Sequence, residues 1–194
     1  MSSSTNEVSG GNGLYRGIER GSHLAYIFTS SSEKQSALFQ LCEAVVSSRN
    51  SFLLYLAGKQ GVKGIRLSLK DTGFDVASYE RVRQMKIVDS DEWFLRQDRQ
   101  KWSFKDMSEL REQLTNVIKE ATAAGFYFVT VISETDSLVR KGFYDRYQEF
   151  DASLGRSLSG IDAAFLCAFD KRELEAAGIT NESEDLTKTH SRLV

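Results

Sequence analysis

The chain of 194 residues has no proline, two cysteines, two histidines and no glycine-rich phosphate loop. Average usage of about 5% would give on the order of ten prolines, and their absence carries no functional reading. No G-x-x-x-x-G-K-[ST] occurs, so the lysine and hydroxyl that hold nucleotide phosphates and magnesium are missing. No apolar run approaches the roughly 18 residues of a membrane span. The opening MSSSTNEVSGGNG has no apolar segment of the kind a secretory signal needs, so a cytoplasmic protein without membrane contact is expected. Net charge is −2 and the pI about 5.8, which lacks the electrostatic footprint of a nucleic-acid binder. Cys42 and Cys167 sit in apolar patterns, LFQLCEAVV and AAFLCAF, and read as buried, reduced thiols. His23 and His190 have no cysteine or histidine at metal-ligand spacing, so neither a metal nor another cofactor is expected. With histidine this scarce, no Ser–His–Asp arrangement emerges and no catalytic residue is assigned.

What is present is a regular alternation of apolar strands and amphipathic helices. Residues 1–13 are too polar to bury surface and read as a flexible tail; residues 14–194 suit a single domain. Apolar runs predict strands at Leu24–Phe28, Phe52–Ala57, Met85–Val88, Phe126–Ile132 and Ala163–Phe169. Ser30-x-x-Glu33 is a capping box, followed by Ala37, Leu38, Leu41, Cys42, Val45 and Val46 at helical spacing. Further helices are predicted around Val62–Leu69, over Val76–Val82, after a Ser103-x-x-Asp106 cap to Gly125, over 138–154, and over 171–178. Residues 89–102 read as an irregular charged stretch, in which Trp93, Phe94 and Trp102 either line an apolar ligand pocket or a partner surface, or fold back over the core edge.

Strands that are apolar throughout and separated by helices imply an α/β fold in three layers, a mostly parallel sheet with helices on both faces. Ligands in such folds bind beyond the carboxyl ends of the strands. That edge gathers Thr29, Ser31, Gly58, Glu134, Asp170 and Arg172, and His23, which precedes the first strand, is the remaining candidate ligand residue. Thr29-Ser-Ser-Ser32 offers hydroxyls and amides at a helix N-terminus, for an anion or for plain capping. Lys34 adds charge there or is solvated. Gly58-Lys-Gln-Gly61 lacks the hydroxyl residue of a phosphate loop and reads first as a strand-to-helix turn. Glu134 and Asp136 stand where nucleotide hydrolases place acids for magnesium or water, but also where acids cap helices. A Glu134–Arg172 ion pair closing the sheet edge is the structural alternative to a ligand site.

Several short motifs, in order, resemble the MEDS domain, the methanogen/methylotroph sensory domain named for the regulator DcmR. They are Gly21-Ser22-His23 with an apolar strand ending at Phe28, YLAG at 55–58, MKIVDSDEWFL at 85–95, VISETDS at 131–137, YQEFDASLG at 147–155, AFLCAFDKREL at 164–174 and THSRLV at 189–194. The resemblance covers about residues 14–194. It implies a RecA/KaiC-like (P-loop-NTPase-like) core with a degenerate nucleotide site. It also implies a sensory role, in some members for small hydrocarbon derivatives, often beside DNA-binding or histidine-kinase modules. The chain departs from the family pattern at Lys59, where an acid is usual, and at Ser137, where an aromatic is frequent.

The expectation is therefore a non-catalytic sensory or regulatory domain. Its partners would be a small-molecule ligand or a signalling protein, a kinase or transcription regulator, with no direct nucleic-acid contact and with homo-oligomerisation left open. An atypical nucleotide-binding or hydrolysing protein and a self-assembling scaffold are the alternatives.

Overall fold

The computed structural model describes residues 18–99, 101–157, 162–179, 186, 190 and 192–193. The N-terminal tail expected over 1–13 lies outside these. Strands β1 (His23–Phe28), β2 (Ser51–Ala57), β3 (Met85–Asp89), β6 (Phe128–Glu134), β7 (Ala163–Asp170) and β8 (Arg192–Leu193) form one sheet. Its order is β3-β2-β6-β7-β1-β8, and every pairing in it is parallel. Strands β4 (Leu95–Asp98) and β5 (Lys101–Phe104) form a separate antiparallel hairpin.

Alternation along the strands sends side chains to two cores. Leu24, Tyr26, Phe28, Leu53, Tyr55, Ile132 and Leu166 pack on one face with Leu38, Leu41 and Cys42 of α1 (Ser31–Ser47). That face also takes Ile65 and Leu69 of α2 (Gly61–Asp71) and Val76 of α3 (Val76–Arg81). The opposite face carries Leu54, Leu56, Val129, Val131, Phe165 and Cys167. It packs on α4 (Ser90–Phe94), α5 (Met107–Ala123), α6 (Asp136–Arg140), α7 (Tyr144–Ser157) and α8 (Lys171–Ala176). Each fully buried leucine contributes about 1.5–3 kcal/mol relative to exposure, and the two-sided burial explains why the strands carry no polar alternation.

Four sequence expectations shift. The stretch 89–102 is ordered, not irregular: Asp89 caps α4 by accepting from the Asp91 and Glu92 amides, and a turn with Arg99 at φ 55° closes the hairpin. Trp93 and Phe94 are buried, with Phe94 stacked on Phe104 at 5.9 Å, so the segment folds back over the core. Ser103 lies in β5 rather than at a cap, and the N-cap of α5 is Asp106. The helix expected over 138–154 is two helices, because Gly142 at φ 76° takes a left-handed conformation that ends α6. The strand expected over 126–132 begins at Phe128 and runs on to Glu134. The Tyr127 and Phe128 amides both donate to Asn50 O, which spends Tyr127 on the turn and leaves its side chain exposed.

Candidate functional site at the strand ends

Glu134 ends β6 with its carboxylate on the α1 face, in register with the buried positions of that core. It is fully buried. Tyr55 of β2 donates to Glu134 Oε1 at 2.5 Å, and Lys34 of α1 donates its ammonium to Oε2 at 3.0 Å. The Gly58 amide donates to Oε2 at 3.3 Å. Two positions on, Asp136 Oδ1 accepts from the Lys59 amide at 2.9 Å and from the Ser137 amide at 2.8 Å. The turn after β2 thus delivers its backbone donors to two carboxylates of the next strand's end. Gly58 is required for this approach, since a Cβ there would fall 2.0 Å from Asp136 Oδ1.

Electrostatics follow from the burial. Burial raises the Glu134 carboxyl above its usual range, with the Lys34 ammonium working against the rise. Burial, then the Glu134 charge, push the Tyr55 phenol well up, which keeps it a hydrogen-bond donor.

The other expected residues have local partners. Glu33 Oε2 accepts from both the amide and the hydroxyl of Thr29 at 2.8 Å, while Ser30 accepts from the Glu33 amide. The Thr29 amide bond is the main cause of a lowered Glu33 carboxyl. Ser31 is exposed in the first turn of α1. Asp170 caps α8 and grips the Arg172 guanidinium at 2.9 and 3.1 Å. Burial works to raise the Asp170 carboxyl, and the Arg172 bonds outweigh it, leaving it below the usual range. The Glu134–Arg172 pair held open as the structural alternative does not form: Glu134 pairs with Lys34, read as charge beside an anion site or as a solvated side chain, and Arg172 pairs with Asp170. The strand ends therefore bring Gly58, Glu134 and Lys34 together, with Thr29, Asp170 and Arg172 occupied nearby. An open cleft of about 630 Å³ lies at the other end of the strands, against Phe52, Met85, Lys86 and Glu120.

His23 does not join the carboxyl-end cluster. It is the first residue of β1, buried on the opposite face of the sheet, where its Nε2 lies 2.8 Å from Asp151 Oδ1 of α7. Cys167 Sγ of β7 is 3.1 Å from the same oxygen, and His190 Nε2 is 3.1 Å from Asp151 Oδ2. Burial, then the Asp151 charge, raise the Cys167 thiol well above its usual range, and burial lowers the His190 imidazole. Ligand spacing along the sequence does not reveal this group. The His23–Cys167 contact spans 144 positions and is assembled only by the parallel pairing of β1 with β7.

The MEDS family, "MEthanogen/methylotroph, DcmR Sensory domain", matches residues 22–191. The chain belongs to this family. Curated proteins provide no match to the sequence. Among solved structures, a KaiC-like protein from the hyperthermophilic archaeon Pyrococcus horikoshii OT3 is similar, at a TM-score of 0.56 and 12% identity. The likeness covers 78% of this chain and 62% of that one, so this MEDS chain spans under two thirds of its neighbour. It establishes a RecA-type α/β fold for the MEDS domain, as the sequence resemblance implied. No helix among the described residues is long and apolar enough to cross a membrane.

Proposed function

We propose that this MEDS domain is a non-catalytic sensory module whose response passes through the strand-end cluster of Lys34, Tyr55, Gly58 and Glu134. The observation that supports this most is the Lys34–Glu134 pair. In a nucleotide hydrolase, the helix after the first strand directs positive charge and amide donors at phosphate. Here the ammonium of that helix, and the amides after β2, are turned onto carboxylates of the same chain. A cluster neutralised from within offers little to a nucleotide and much to a module that changes state when one of its pairs is exchanged for a ligand or partner contact.

The ligand class follows from the family resemblance, small hydrocarbon derivatives, and the output would pass to a signalling protein. A thermal-shift screen of the full chain against such compounds tests the reading, since a ligand selective for the native state raises its melting temperature. Glu134→Gln should change the response of any hit. A hit whose effect is identical in Glu134→Gln and wild type would remove this cluster from the mechanism.

A further inference from the structure

We infer that His23, Asp151, Cys167 and His190 form a binding site for a divalent transition-metal ion of the zinc type. One ligand atom from each, two imidazole nitrogens, a carboxylate oxygen and a thiol sulfur, lie within 4.8 Å of one another, and all four residues are buried. A tetrahedral zinc with bonds of about 2.0–2.3 Å separates its ligands by about 3.3–3.8 Å. Contacts within the group include 2.8 Å for His23 Nε2–Asp151 Oδ1, 3.1 Å for Cys167 Sγ–Asp151 Oδ1 and 3.6 Å for His23 Nε2–Cys167 Sγ, and every separation stays within 4.8 Å. Seating an ion asks the shorter contacts to open and the longer ones to close toward that spacing.

The ring orientations suit the same task. His190 Nδ1 lies 2.9 Å from Leu186 O, a contact in which the ring nitrogen must donate. An imidazole held this way by a carbonyl is oriented with Nε2 as the ligating nitrogen, the arrangement typical of metal-bound histidine. That nitrogen faces Asp151 Oδ2 at 3.1 Å, and this oxygen, in a side chain with no exposed surface, accepts no hydrogen bond among the described residues. The His23 and His190 rings lie with centroids 4.2 Å apart, and the Nε2 of each lies against an oxygen of the Asp151 carboxylate.

Charge supports a divalent ion. A carboxylate and a thiolate together carry two negative charges, and the imidazoles carry none when they ligate. A divalent cation makes the group neutral, which a dry core framed by Phe165 and Phe169 requires. The mixture of nitrogen, sulfur and oxygen in a closed tetrad selects zinc over magnesium or calcium, which take oxygen. Because no ligand position is left to solvent, the role is structural. The ion would tie β1, α7 and β7 to the segment that carries His190.

The test uses the purified full chain, stripped with a chelator and titrated with zinc against a chromophoric competitor, then with cobalt. The expected results are uptake of one zinc per chain, a rise in melting temperature, and a thiolate-to-cobalt charge-transfer band with visible bands of tetrahedral cobalt. Cys167→Ser should abolish the charge-transfer band, and it and His190→Ala should each weaken zinc binding by about 100-fold or more. A folded wild type that takes up no zinc and gives no cobalt spectrum overturns the proposal and leaves a hydrogen-bonded network only. Equal zinc affinity in wild type, Cys167→Ser and His190→Ala also overturns it. Should either variant fail to fold, the wild-type cobalt spectrum decides alone.

Discussion

Lys34 and Glu134 close a buried ion pair across 100 positions of sequence. Neither side chain is more than 9% exposed, so removing one partner leaves an uncompensated charge in the core. Glu134→Leu or Lys34→Met alone should cost about 3–5 kcal/mol, while the double variant should recover much of that loss. Urea unfolding of the four proteins checks this. Additive losses would mean that the two charges are not coupled.

ATP hydrolysis is expected to be absent. The turn before α1 has no phosphate-loop lysine followed by a hydroxyl residue, and the lysine of that helix is committed to Glu134. Phosphate release with ATP and magnesium should equal a no-protein control. Steady turnover that disappears in Glu134→Gln would reverse this conclusion.

Gly58→Ala should destabilise the fold by about 1–3 kcal/mol through overpacking. Its new methyl would meet the Asp136 carboxylate and the Glu134 Cβ. Pairing it with Asp136→Ala should restore part of the loss, because one of the two obstacles is then gone. Thermal melts of both variants measure the difference, and an unchanged melting temperature in Gly58→Ala would show that the turn can move freely.

Alkaline pH should weaken the fold partly through Tyr26. Burial, and then the neighbouring Glu33 charge, push its phenol up to about 12. The unfolded chain releases that proton near its ordinary value of about 10. The folded state therefore holds a proton that the unfolded state has lost, and this contribution is fully present below about pH 10 and gone above about pH 12. Tyr26→Phe should lose stability less steeply between about pH 10 and 12 than wild type. Tyr55 and Tyr147 titrate upward too, but they are common to both proteins and cancel in the comparison. Parallel pH profiles would assign the alkaline loss elsewhere.

The fold was legible where one residue type speaks for itself. FLLYLA and AAFLCAF are apolar on both faces and can only be central parallel strands. The break at Gly142 was not, because Val139, Phe143 and Tyr147 keep helical spacing across it and mask the glycine. At the strand ends Glu134 could be found as an acid after a strong strand. Its partner could not, since a lysine near a helix start looks the same whether it is solvated or buried. The His23–Asp151–Cys167–His190 group was least visible of all. Asp151 is one of several acids on an amphipathic helix, and only its position beneath β1 and β7 distinguishes it.

The sheet order places β1 between β7 and β8, so the first strand among the described residues has both its neighbours more than 130 positions further along the sequence. A growing chain would emerge with β1 able to pack on α1 but with no strand to pair with until residues 163–170 have been made. Closing so long a loop brings an entropic cost before any ladder bond forms. Synthesis therefore delivers β1 and α1 early and the place of β1 in the sheet late, and the edge of β1 is the surface that a nascent chain must keep from pairing with the wrong neighbour.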